Sequence, residues 1–194
     1  MRKQSVLNRF GKKLITVLLP EPLRVVLYPL LRGRPIVNPF KPKTFNDFIN
    51  SNKLNERYAE ICLLQDKLLA KEWVSFVAPE VRTPKTFRVF HSPDEIDPRR
   101  LPAQCVLKTN NGCGFNYIHR SSNAEVPSDH IIDWQEIRNG FKFALREPFG
   151  KASVEWSYFY IKPILYCEEF LCAETTDGDL VDYKVFVFMG INAS

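Results

Sequence analysis

The chain has 194 residues, 45% of them apolar and 13% aromatic, with 15 Phe. That is enough for one packed domain or two small lobes, and it excludes a disordered chain. The net charge of +5 divides unevenly: residues 1–43 hold ten Lys or Arg (Arg2, Lys3, Arg9, Lys12, Lys13, Arg24, Arg32, Arg34, Lys41, Lys43) against Glu21 alone, leaving 17 basic and 21 acidic side chains on the body.

A mildly acidic body argues against a nucleic-acid-binding module, whose contact face should be basic. Five cysteines (Cys62, Cys105, Cys113, Cys167, Cys172) form no C-x-x-C pair. Their odd number and irregular spacing fit a reducing, cytoplasmic compartment better than a disulfide framework. His91, His119 and His130 complete no zinc spacing, and neither H-E-x-x-H nor G-x-S-x-G occurs.

The first element, Leu14 to Leu31, is apolar but interrupted by Pro20, Glu21, Pro22, Arg24 and Pro29. It is too broken to span a bilayer as one helix and lacks a small-residue cleavage site. With its basic flanks it suits either the inner membrane face or packing on the domain with the cations solvated. Arg32 to Thr44 reads as an extended connector, with prolines at 35, 39 and 42.

Thr44 is placed to cap a short helix carrying Phe45, Phe48 and Ile49 on one face. Asp66 caps a second helix with Leu69, Trp73 and Phe76 at spacings of four and three. Phe87–His91, Cys105–Lys108 and Phe115–His119 read as strands. Between Ser128 and Arg146 the apolar set Ile131, Trp134, Ile137, Phe141 and Leu145 repeats at helical spacing. Ile164–Leu171 reads as a strand entered from Pro163, and Tyr183–Met189 as a strand buried on both faces.

Chemistry concentrates around Lys108, at the end of an apolar run that opens into Thr109-Asn-Asn-Gly-Cys-Gly114. A fixed cation beside a loop of free N–H groups is a seat for phosphate. A Walker loop would place its lysine after the glycines, and a dinucleotide fingerprint needs a third glycine near Tyr117; both fail. An Asn-Gly hairpin turn explains the same letters. Lys67 adds a second cation, at a helix start where the dipole and free N–H groups favour an anion, and Lys71 follows on the same face. Tyr166-Cys-Glu-Glu-Phe-Leu171 supplies a strand that ends in two acids and an apolar pair.

In this order the three elements resemble the ATP-grasp superfamily, and most closely the TupA-like ATP-grasp family. That family is named for teichuronopeptide synthesis and found in bacterial cell-surface polysaccharide clusters. Its members are often labelled glycosyltransferases. The shared marks are Pro42-Lys-Thr-Phe-Asn46, Asp66-Lys67, Asp94-Glu-Ile-Asp97, Leu107-Lys-Thr-Asn-Asn-Gly-Cys-Gly-Phe-Asn116, Glu155-Trp-Ser-Tyr158, Ile161-Lys-Pro163, Glu168-Glu169 and Asp182-Tyr-Lys184. Asn111 and Cys113 stand where the family commonly shows His and Ser; Asn still donates a hydrogen bond, while Cys replaces a hydroxyl poorly. A reactive Cys113 and a buried or tolerated thiol are both open readings.

The resemblance implies an α+β fold with an ATP-grasp N-terminal lobe over 44–167, preceded by a basic arm over 1–43. The hinge and the first strands of an incomplete C-terminal lobe follow over 168–194. It implies that Lys67 and Lys108 hold the ATP phosphates while Asn111, Gly112, Cys113 and Gly114 close over them. The backbone of Glu169 and Leu171 would meet adenine in the hinge begun by Glu168, with Phe170 packed near it. Asp182 and Lys184 would reach ribose and phosphate. The implied activity is ATP-dependent ligation or transfer onto a glycan, peptide-glycan or lipid-linked precursor, at or near the inner face of the membrane. Phosphoryl transfer needs Mg²⁺, but no acid follows Asp182, so its ligands are expected outside this chain. The expectation is a truncated enzyme; completion by a second polypeptide and an inactive nucleotide-binding or scaffold protein are the alternatives.

Overall fold

A computed structural model describes residues 16–121, 132–146 and 149–172. Its centre is a four-stranded antiparallel sheet of β1 (Thr86–Phe90), β2 (Gln104–Thr109), β3 (Asn116–Arg120) and β4 (Leu165–Glu169), in the order β1-β4-β2-β3. The four strands expected between residues 87 and 171 are all present, each displaced by a residue or two at its ends, while Tyr183–Met189 lies outside the described residues. The last of the four in sequence, β4, lies between β1 and β2, pairing Leu107 with Cys167 and Lys108 with Tyr166.

Alternation along these strands gives the sheet two unlike faces. One presents Phe90, Cys105, Leu107, Leu165 and Cys167, all buried, to the helix Trp134–Arg146, which seats Phe141 among them. Burying a side chain such as Leu107 contributes about 1.5–3 kcal/mol. The other face presents Val106, Lys108, Tyr166 and Glu168 and receives Lys71 from a helix described next.

In chain order the helices are α1 (Glu21–Leu31), α2 (Phe45–Asn55), α3 (Ala59–Gln65), α4 (Lys67–Val77) and α5 (Trp134–Arg146). Thr44 caps α2 as expected: its hydroxyl accepts from the Asp47 N–H, and the Asp47 carboxylate accepts from the Thr44 N–H. That carboxylate also accepts from the N–H groups of Asn38 and Lys43. These bonds, the one from Asn38 foremost, hold its pKa well below the usual carboxylate range. Asp66 caps α4 by accepting from the Leu68 and Leu69 N–H groups.

Two apolar helix faces lie outside the core. Leu69, Trp73 and Phe76 of α4, and Phe45, Phe48 and Ile49 of α2, remain substantially exposed among the described residues, Phe76 at 85%. In α4 the reason is visible, because the turn bearing Lys67 and Lys71 faces the sheet and rotates the apolar stripe away. The N-terminal segment is also less of an arm than expected. Val25 of α1 packs with Val37, Val154 and Leu54, and Arg24 Nη1 donates to the Lys151 carbonyl at 2.6 Å. From Glu21 onward the chain is docked on the turn 149–155. Leu23, Leu27, Leu30 and Leu31 point outward from the same helix. Val154 holds φ +56 while completely buried, an uncommon conformation for a β-branched residue, offset by its packing.

Candidate phosphate site

The site is assembled by Asn110, at the end of β2. Its N–H donates to the Ile164 carbonyl at 3.0 Å, and its Oδ1 accepts from the Ile164 N–H at 2.7 Å. Its Nδ2 donates to Asp66 Oδ2 at 2.8 Å and to the Lys162 carbonyl at 3.1 Å. Its carbonyl accepts from the Lys67 N–H at 3.1 Å. One buried amide thus joins β2, the entry to β4 and the start of α4. The Asn110 amide is consumed by the fold and offers nothing to a ligand.

This junction places Lys67 against the glycine loop. Its amine donates to the Gly112 carbonyl at 2.6 Å and to the Asn110 carbonyl at 3.3 Å. Burial, and next the charge of Lys108, push the Lys67 pKa below the ordinary lysine value. Lys67 and Lys108 therefore approach the same end of the sheet. The start of α4 offers no free N–H to an anion, contrary to expectation: those of Lys67, Leu68, Leu69 and Ala70 are taken by Asn110 and Asp66. Only the Lys67 amine remains available there.

Lys108 projects from β2 onto the charged face of the sheet. Its amine pairs with Glu168 Oε1, while Lys71 reaches Glu168 Oε2 at 2.5 Å. Both amines lie over the Tyr166 ring, 5.8 and 5.3 Å from its centroid. Glu168 is almost fully buried, so one carboxylate serves two cations and leaves the Lys67, Lys71 and Lys108 group net positive. Tyr166 and its strand neighbour Glu168 are the residues that sequence reasoning under-read. The period-two alternation of β4, which puts 166 and 168 on one face, is the signal that identifies them.

Gly112 and Gly114 adopt φ +69 and +94, and a Cβ on Gly112 would lie 2.6 Å from the Phe149 ring. Among the described residues, no backbone hydrogen bond uses the N–H groups of Gly112, Cys113 or Gly114. Cys113 is exposed, not buried. Asn111 is buried behind the loop, with Oδ1 unpartnered.

The hinge residues are differently engaged. The Glu169 N–H donates to the Lys85 carbonyl at 2.8 Å, and its carboxylate pairs with Arg82 at 2.5 Å. In this arrangement that N–H is not free for an adenine edge. Phe170 carries the Arg120 guanidinium 4.8 Å from its ring centroid, and Leu171 is exposed. Asp182 and Lys184 lie outside the described residues. No three His, Cys, Asp or Glu side chains gather around a common point among the described residues, so Mg²⁺ is assigned no ligand here.

A lysine-bearing antiparallel sheet, a glycine loop and a second lysine from a capped helix are consistent with the ATP-grasp class, to which a family match assigns the chain. The model of the TupA-like ATPgrasp family matches residues 47–194, and the chain belongs to that family. No curated protein and no solved structure matches it. The family is one that binds ATP and Mg²⁺.

Proposed function

We propose that this chain binds ATP with its polyphosphate between Lys67 and Lys108, beneath the loop Asn111-Gly112-Cys113-Gly114. The observation that carries this reading is that both amines stand at the glycine loop, Lys67 on the Gly112 carbonyl and Lys108 near the end of β2, just before the loop opens. Like charges held together in a half-buried site favour an anion between them. Lys71 and Glu168 position Lys108, and the loop N–H groups, which make no backbone hydrogen bond among the described residues, add donors. Glu168, Glu169, Phe170 and Leu171 border the adenine side, with Asp182 and Lys184 as ribose and phosphate contacts. Mg²⁺, when bound, neutralises phosphate charge.

The activity proposed is ATP-dependent ligation or transfer onto a glycan, peptide-glycan or lipid-linked precursor of the bacterial cell surface. The same reading divides the chain at the hinge, with one lobe before Glu168 and a second beginning there. Titration calorimetry of the 194-residue chain with MgATP tests the binding step. Wild type should give saturable heat, and Lys108→Ala should lose it while keeping its circular dichroism. Unchanged affinity in that variant rejects the site. Binding without turnover would favour a nucleotide-binding protein that lacks catalysis.

A location at the inner membrane face is part of the proposal. The outward row Leu23, Leu27, Leu30 and Leu31 stands beside Arg32 and Arg34, the pairing of apolar and basic groups that anionic lipid attracts. Among the described residues no helix is long and apolar enough to cross a membrane. Cosedimentation with vesicles containing phosphatidylglycerol, but not with neutral vesicles, is the expected result.

A further inference from the structure

Helix α1 stands outside the family-matched region of the chain, and its two faces are unlike. Leu23, Leu27, Leu30 and Leu31 point outward, and the exposed Arg32 and Arg34 follow them. Arg24 and Val25 point inward and are buried.

The inward face holds the turn 149–155 in a conformation that needs outside support. Val154 is completely buried at φ +56, a left-handed conformation that a β-branched residue rarely adopts. Such strain persists only where the surroundings over-determine it, and the surroundings here are Val25, Val37 and Leu54. Arg24 adds its bond to the Lys151 carbonyl, and Lys53 Nζ donates to the Ser153 carbonyl at 3.3 Å.

A short path leads from Val154 to the glycine loop. The N–H of its neighbour Glu155 donates to the Gly150 carbonyl at 2.9 Å and closes the turn. Phe149, beside Gly150, lays its ring behind Gly112, where a Cβ would stand 2.6 Å away. One strained turn thus joins α1 to the back of the loop.

We propose that α1 couples an anionic membrane to the nucleotide: lipid on its outer face holds its inner face on the turn, and ATP binds more tightly. This coupling rests on the nucleotide reading and the membrane location above, but is tested apart from both. Charge selects the occupant. Residues 1–43 carry ten Lys or Arg against Glu21 alone, and the leucine row supplies the apolar half of an interfacial helix. An isolated helix of 11 residues is marginal in water, so the row is best presented while Arg24 and Val25 are docked. Lipid therefore favours the docked, strained turn, and so does a polyphosphate whose loop must be supported from behind. Two ligands that favour one state strengthen each other by the same factor.

The test is calorimetry of the full chain with MgATP in three mixtures: without lipid, with phosphatidylglycerol vesicles and with phosphatidylcholine vesicles. Phosphatidylglycerol should lower the ATP Kd at least about fivefold, and phosphatidylcholine should leave it unchanged. Saturating MgATP should raise the affinity for phosphatidylglycerol vesicles by the same factor, read by cosedimentation. L27S/L30S should lose cosedimentation and the gain in ATP affinity together. Val154→Gly accepts φ +56 without strain and no longer touches Val25, so it should keep cosedimentation and lose the gain. An equal or weaker ATP affinity in phosphatidylglycerol, or a full gain in Val154→Gly, overturns the coupling. The mixtures separate the readings. No ATP binding in any of them removes the nucleotide site, and no cosedimentation removes the membrane location; either removes the coupling too. ATP and vesicles that bind independently remove the coupling alone.

Discussion

The Lys108 ammonium pairs with the Glu168 carboxylate diagonally across β2 and β4, two residues from direct register. Glu168 is 5% exposed at its side chain, against 21% for Lys108 and 17% for Lys71. Removing this carboxylate strands two sparsely solvated cations against each other. Glu168→Gln should lower the unfolding free energy by about 3 kcal/mol in urea. Lys71→Met should cost less, about 1–2 kcal/mol, because Lys108 still satisfies Glu168. Equal costs for the two variants would mean that the shared carboxylate is not the organising group.

Lys67 gives the site a pH dependence of definite sign. Its pKa is lowered by burial and then by Lys108, while Cys113, Asp66 and Glu168 oppose the shift. The unfolded chain therefore holds this proton more tightly than the folded one. The resulting penalty is full below the folded pKa of Lys67 and fades as pH rises to the ordinary lysine value. A bound polyphosphate reverses the shift and draws a proton in from solvent within that window. Over a pH series approaching the free lysine pKa from below, the ATP binding heat should come to vary with buffer ionisation enthalpy in the sense of proton uptake. Heats independent of buffer would separate Lys67 from the bound anion.

Much of this arrangement was legible in the sequence because it is local. Thr44 and Asp66 announce their helices through capping chemistry that depends on neighbours two or three residues away. Lys67, Lys108 and the glycine loop stand out for the same reason. The roles of Asn110 and Glu168 depend on residues far along the chain, Asp66 and Ile164 for one, Lys71 and Lys108 for the other. No spacing rule connects such positions. On α4 the strong helical period of Leu69, Trp73 and Phe76 identifies the helix but does not say which face the fold covers. Lys71 reaching buried Glu168 and Lys67 reaching the Gly112 carbonyl set the rotation of that helix. Packing of α1 on the domain was one of two readings open in the sequence, but its partners Val154 and Lys151 lie more than a hundred residues on and could not be named from it.

His119 should make the fold sensitive to acid. It is buried on β3 opposite Cys105, edge-on to Trp134 at 5.5 Å, with Nδ1 unpartnered. Burial lowers its pKa below the ordinary histidine value. As pH falls through that ordinary value the unfolded chain gains a proton that the folded chain refuses, so stability drops until the folded pKa is passed. Urea midpoints measured from about pH 7.5 to about pH 5 should decline in the wild type. His119→Phe keeps a ring against Trp134 and should flatten that part of the profile. An unaltered slope in the variant would assign the acid sensitivity to other groups.

Asn110→Ala should damage stability and the site together. The change removes the bonds to Asp66, Lys162 and Ile164 and leaves their partners facing a void. The expected cost is about 3 kcal/mol, the order typical of a broken buried network. The variant should also bind MgATP more weakly, because Lys67 loses the junction that places its amine on the loop. Asn110→Asp is the sharper probe: it keeps the volume and the Oδ1 acceptor but replaces the amide donor by a second anion facing Asp66. If either variant unfolds at the wild-type urea midpoint, the junction does not hold the site.

The two glycines of the loop should respond differently to alanine. At Gly114, φ is +94 and no atom lies within 4 Å of the place a methyl would take, so Gly114→Ala meets only backbone strain, about 1–2 kcal/mol. At Gly112 the same strain at φ +69 is joined by a methyl 2.6 Å from the Phe149 ring. Gly112→Ala must displace either the loop or Phe149, and overpacking of this kind costs about a further 1–3 kcal/mol. Phe149→Leu in the Gly112→Ala background should restore part of that loss, because a smaller side chain makes room for the methyl. If the double variant is no more stable than Gly112→Ala alone, Phe149 is not what the loop leans on, and the destabilisation belongs to the backbone.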